Sequence, residues 1–253
     1  MFEQIVVSCT VRRLLAGGVC ALALCAGQAR AQLITEAPTS WEVEDFADPS
    51  INNNGMPGTN PSGVWSYGYE SVMGQNFQLL TQPVQPSTFN PNLDLNGWAG
   101  GPNDPGIVHN VNAQPWNNSA YNYPYPITIP PRGVVVGPSP ACEFSVVRFT
   151  APYAGRYKIN GQFDALDGHS VNGLEENVVV YMVVNNVTTP PFYSGALHPV
   201  VGQKTASFTP KVTGMLAAGS TIDFIVGCGP NSDFWFGSTG LRGVVQWTGK
   251  KHP

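Results

Sequence analysis

The chain has 253 residues, of which 28 are Gly and 23 are Pro, while only 11% are Asp, Glu, Lys or Arg and the formal net charge is −4. So little charge excludes a coiled coil, a charged helical bundle and a charge-driven disordered tail; Gly and Pro favour turns and extended segments instead. A hydrophobic content of 42% is enough for a real core, in one large all-β domain or two small ones.

In chain order the first expected element is a secretory signal over residues 1–31. Arg12 and Arg13 precede the apolar run from Leu14 to Ala26, and Ala29-Arg30-Ala31 offers small residues for cleavage before Gln32. The run is too short to span a bilayer, and no later apolar stretch approaches the roughly twenty residues a membrane span needs. Cleavage leaves nine basic residues against fifteen acids, so the net charge moves from −4 to −6. A mildly acidic surface without a Lys/Arg cluster argues against nucleic acid or an anionic membrane as partner. Cys9, Cys20 and Cys25 leave with the signal. Cys142 and Cys228 remain, most simply as a disulfide in an exported chain, with two buried thiols as the alternative.

Residues 32–253 read as one domain with two textures. From Pro49 to about Pro140 the chain is rich in Asn, Pro and Gly, which is turn and loop chemistry. Embedded there are predicted strands at Trp41 to Phe46, Val64 to Glu70, Phe77 to Thr81 and Gly133 to Val136. Regular strands are expected from residue 141 onward. In Gly155 to Phe163 the residues Tyr157, Ile159, Gly161 and Phe163 alternate with Arg156, Lys158, Asn160 and Gln162, the period of a half-buried antiparallel strand. Glu143 to Thr150, Asn177 to Val184, Lys204 to Val212, Thr221 to Val226 and Leu241 to Trp247 read similarly, with Gly or Asn clusters between them. Such a series predicts an all-β antiparallel sandwich of jelly-roll type with long Pro/Asn/Gly-rich loops.

The order Asn60-Pro61-Ser62-Gly63-Val64-Trp65-Ser66-Tyr67-Gly68-Tyr69, Gly97-Trp98, Ser145 to Tyr157, Phe163-Asp164-Ala165-Leu166-Asp167, Ala217 to Gly227 and Ser238-Thr239-Gly240-Leu241 resembles a domain of exported bacterial proteins. That uncharacterised jelly-roll family is similar in outline to carbohydrate-binding modules. Members often carry Asp in the last motif where this chain has Gly237. The resemblance implies fold and export, and it implies them better than it implies a ligand.

The aromatic residues are the strongest functional feature. Trp65, Tyr67 and Tyr69 alternate and so share one strand face, either toward the core or toward a ligand; Trp98, Trp116 and Trp235 stand in loop-like sequence. Flat rings among Asn, Asp and Gln suit sugars, because the C–H face packs on the ring while amides satisfy hydroxyls. Asp164 and Asp167 are weak candidates for a structural calcium, which wants six to eight oxygens; capping a turn is the plainer role. Asp223 reads as a polar residue on an outer strand face. No cofactor is required by any motif. His109, His169, His198 and His252 have no zinc-motif spacing, and Gly237-Ser238-Thr239-Gly240 lacks the setting of a nucleophile elbow. The leading expectation is a secreted, non-catalytic carbohydrate-binding or adhesion module that takes a polysaccharide or surface glycan. The alternatives are a structural protein that assembles with copies of itself at the cell surface, and a hydrolase with an unrecognised site.

Overall fold

Strands follow the alternation of side chains most closely after residue 140. The computed structural model describes residues 39–46, 59–84, 95–100, 106–118, 127–167, 170–171, 174–175, 177–199, 202–230 and 237–249. The expected signal over residues 1–31, Trp235 and His169 lie outside them. In chain order the first strands are β1 (Ser40–Glu42), β2 (Trp65–Glu70), β3 (Gln78–Leu79), β4 (Gln82–Val84), β5 (Leu95–Ala99) and β6 (Gly106–Asn110). Then come β7 (Trp116–Asn117), β8 (Thr128–Ile129), β9 (Val134–Gly137), β10 (Phe144–Thr150), β11 (Tyr157–Ala165), β12 (Ser170–Val171) and β13 (Leu174–Glu175). The last are β14 (Val178–Val184), β15 (Tyr193–Leu197), β16 (Thr205–Val212), β17 (Thr221–Cys228) and β18 (Thr239–Trp247).

Two antiparallel sheets make a sandwich. The first runs β16, β11, β18, β9, β6, β5, β4, and the second runs β15, β14, β17, β10, β2, β3. Strand β18 is long enough that one edge pairs with β11 along its length, while the other is shared between β1, with Trp41 opposite Val245, and β9, with Val135 opposite Gly240. From β10 onward the chain passes repeatedly between sheets: β10 lies in the second, β11 in the first, β14 and β15 in the second, β16 in the first, β17 in the second and β18 in the first. This is the winding of a jelly roll.

The predicted strand over 41–46 ends at Glu42 and continues as a 3-10 turn over Val43–Phe46. The Glu42 N–H donates to Asp45 Oδ2 at 3.0 Å, so the chain closes on itself there. Strands β4, β5, β6 and β15 were not among the predicted elements. Segments such as Leu95-Asn96-Gly97-Trp98-Ala99 lack alternation, because Gly97 has no side chain and Asn96 is fully buried.

Inward residues of both sheets meet in a core rich in rings. Phe149 sits 5.3 Å from both Trp41 and Trp65 and 5.7 Å from Tyr157 (centroid distances), and Phe208 bridges Phe163 and Phe224 at 5.7 and 5.9 Å. Tilted and edge-on geometries of this kind add to the area they bury. Cys142 and Cys228 form a disulfide that ties the turn before β10 to the end of β17. Among the described residues no helix is long and apolar enough to cross a membrane.

Candidate functional site

The fold decides which aromatic residues a ligand can reach. Trp65, Tyr67 and Trp98 retain 3%, 1% and 7% of their exposure and belong to the main core, so none offers a ring face to a sugar. Of the two faces open to Trp65 and Tyr67 the fold takes the core, since in a sandwich the alternating rings of β2 turn toward the opposite sheet, and Trp98, expected in loop-like sequence, lies on β5 instead. Tyr69 shares that face but is half-buried at its margin, and its hydroxyl donates to Gln78 Oε1 at 2.9 Å. Trp116, on β7, packs over Leu95, Ile129 and Val135, where the β7–β8 hairpin caps the outer face of β5 and β9. The sequence-predicted aromatic residues are therefore not gathered into one exposed platform among the described residues.

Covering continues on the second sheet. Val146, Val183 and Ile225 on its outer face are overlaid by Met73 and Phe77 from the segment between β2 and β3. Gly68 makes room for this cover, since a Cβ there would meet the Phe77 ring at 2.4 Å. Under the same cover lies an ion cluster that sequence reasoning missed. Arg148 Nε donates to Asp223 Oδ1 at 2.7 Å and Nη2 to Oδ2 at 2.8 Å, while Nη2 also reaches Glu70 Oε1 at 3.2 Å. The Gly74 N–H donates to Glu70 Oε2 at 2.5 Å, and the Phe77 ring lies 3.8 Å from the guanidinium carbon. Glu70 and Asp223 are fully buried, so Asp223 is not the solvated residue its strand position suggested. One cation serves two carboxylates, and burial, followed by the Asp223 charge, pushes Glu70 up to about 7. The available signal was Arg148 and Asp223 interrupting otherwise apolar strands; their pairing across β10 and β17 is visible only in register.

One part of the first sheet stays open. The outward side chains of β11, β16 and β18 form the floor of a groove of about 590 Å³, and Glu42 and Glu44 rise beside it from β1 and the turn that follows. Asn160, Gln162, Ser207, Arg242 and Val244 complete the surface a ligand would meet. Asn160, Ser207 and Arg242 are exposed and Gln162 is half-buried. With strands about 4.8 Å apart, the three spacings from β16 to β1 make it about 14 Å across. Glu44 is raised above the usual carboxylate range chiefly by burial, with the Glu42 charge adding to it.

Asp164 stands at the end of this floor with its oxygens engaged. Gln162 Nε2 donates to both of them at 2.7 and 2.9 Å, Thr205 Oγ1 to Oδ1 at 2.9 Å, and Arg242 Nη2 lies 3.1 Å from Oδ2. A carboxylate held by a cation and three donor contacts is an anchor for Gln162 and Arg242 rather than a vacant calcium ligand. Asp167 is half-buried and has partners of its own. Among the described residues no group of three or more His, Cys, Asp or Glu is placed to hold a metal ion. His109 lies in the core at 3% exposure, and burial lowers it to about 4, so it is neutral at ordinary pH.

No family model matches the chain, and no curated protein matches it. Among solved structures, an arabinose-bound α-L-arabinofuranosidase aligns with 72% of this chain and 26% of its own, at 10% identity and a TM-score of 0.34. The isomalto-dextranase of Arthrobacter globiformis T6, complexed with panose, aligns over 72% and 23%, at 13% identity and a TM-score of 0.22. The chain thus spans about a quarter of the length of either enzyme. Likeness this distant says nothing about what this chain binds.

Proposed function

We propose that the protein is an exported, non-catalytic carbohydrate-binding module of the jelly-roll type its motifs resemble, and that it holds its ligand in the groove over β11, β16 and β18. The observation that carries this reading is the distribution of cover. The β7–β8 pair and the 71–77 segment bury apolar parts of the outer faces, whereas the groove leaves the Asn160 amide, the Ser207 hydroxyl and the Glu42 carboxylate open together. Its volume is in the range of small-ligand sites, and its donors and acceptors suit hydroxyl-rich molecules. Recognition shifts accordingly from ring stacking to hydrogen bonding.

Self-assembly through strand edges is the weaker reading. The edge strands of the first sheet carry Pro83 in β4 and Pro210 in β16, each lacking an N–H for a ladder, and the second sheet ends on the two-residue β3 at one edge and on the five-residue β15 at the other. Glycan-array screening followed by calorimetry on the mature protein tests the proposal. Binding of at least one polysaccharide, weakened about fivefold or more by Asn160→Ala with Ser207→Ala, is expected. Absence of glycan binding, together with a large sedimenting species, overturns it in favour of assembly.

A further inference from the structure

The groove also bears on which sugars fit, an inference that rests on the carbohydrate reading above. The geometry points to single soluble chains of neutral sugar as the ligand class, with polyuronates and crystalline polysaccharide surfaces excluded.

Two features of the lining lead there. The first is the absence of an exposed ring among the described lining residues. The aromatic contributor to the groove is Phe208, which retains 1% of its exposure and is tucked against Gly161, whose added Cβ would meet Phe208 Cζ at 2.6 Å. Trp41, Trp65 and Trp98 are in the core, and Trp247 packs on Tyr153 at 5.4 Å. A flat crystalline face offers few free hydroxyls and is gripped by coplanar exposed rings, of which the described lining has none. A single chain lying in the groove exposes its hydroxyls to Asn160, Gln162 and Ser207.

The second feature is charge. Glu42 and Glu44 form one side of the groove. The neighbouring cations are already committed: Arg242 to Asp164 at 3.1 Å, and Arg132 to Asp45 at 3.4 Å and to Glu42 at 4.0 Å. Lys158 occupies the outward position of β11 before Asn160 and is exposed, but it is not among the lining residues. A chain with a carboxylate on every sugar would have to settle beside Glu42 and Glu44, and the cation in the lining, Arg242, already shares its charge with Asp164. The like charge opposes binding, whereas a neutral chain does not meet it.

Affinity gel electrophoresis of the mature protein in gels containing soluble mixed-linkage glucan, soluble arabinoxylan or polygalacturonate, beside a pull-down on microcrystalline cellulose, tests the inference. Expected are retardation by at least one neutral chain, none by polygalacturonate and no cellulose pull-down. Glu42→Lys with Glu44→Gln is expected to create retardation by polygalacturonate, lost again at high salt. Retention by polygalacturonate or cellulose in the unaltered protein overturns the ligand class and leaves the carbohydrate reading standing. Failure of every polysaccharide to retard or retain the protein overturns both. Unchanged retardation in the Asn160→Ala, Ser207→Ala variant removes the groove as the site.

Discussion

Two buried side chains, Glu70 beneath the cover of the second sheet and His109 in the first, oppose one another in their titration, and the opposition has a measurable consequence. Burial raises Glu70 to about 7, so the folded state holds its proton more tightly than the unfolded chain; Glu70 favours folding below about pH 4.5, and this is lost as the pH rises through 7. Burial lowers His109 to about 4, so the unfolded chain is the better proton binder there, and this stabilisation appears as the pH rises from 4 through 6.5. The two slopes have opposite sign and overlap from about pH 4.5 to 6.5, so urea unfolding of the unaltered protein is expected to depend weakly on pH in that window. Glu70→Gln removes one of the slopes that oppose His109, leaving those of Asp223 and Glu44, which burial also raises, so stability should climb with pH more steeply than in the unaltered protein. A Glu70→Gln profile no steeper than that of the unaltered protein would contradict the raised titration of Glu70. At the same scale, Trp98→Ala should lower stability by about 3–5 kcal/mol, as expected for a ring in the main core. A surface sugar platform would lose binding with little change in unfolding.

At the scale of elements, the segment between β2 and β3 shows how much rests on a residue with no side chain. Gly68 faces the Phe77 ring and the Gln78 carbonyl, which an added Cβ would meet at 2.4 and 2.3 Å. Gly68→Ala is therefore expected to lift the ring from Arg148, to cost about 1–3 kcal/mol, and to speed hydrogen exchange at residues 71–77. Unchanged exchange there would mean that the ion cluster, rather than the ring, holds the segment down. The same elements show which parts of the fold could be read in advance. Alternation in β10, β11, β14, β16, β17 and β18 was legible because one face of each strand is apolar and regular. β5 and β6 were not, because Asn96, His109 and Asn110 are buried and break the period. For Trp65 and Tyr67 alternation told that they share a face but not which face, since core and ligand both select rings. The groove was legible only as the polar half of β11; its other walls, Ser207, Arg242 and Glu42, come from strands remote in sequence.

Across the whole molecule, the two sheets are bound together by the winding of the chain, and the disulfide acts on that winding. Cys142 and Cys228 are 86 residues apart, and the loop they close holds β10 through the end of β17, with strands of both sheets inside it. Closing a loop of that length removes unfolded-state entropy worth roughly 4–5 kcal/mol in the simplest chain model, with measured effects spanning about 2–5 kcal/mol. The strands that carry Asn160 and Ser207 lie within the loop, whereas Glu42 and Arg242 lie outside it. If the bond acts mainly on the unfolded chain, Cys142→Ser with Cys228→Ser should lower urea-unfolding stability by about 2–5 kcal/mol while leaving polysaccharide affinity unchanged within twofold under conditions where the variant is folded. Parallel loss of affinity in the folded variant would show instead that the bond shapes the native groove. Equal stability with and without the bond would mean that residual structure already restricts the unfolded chain as much as the bond does.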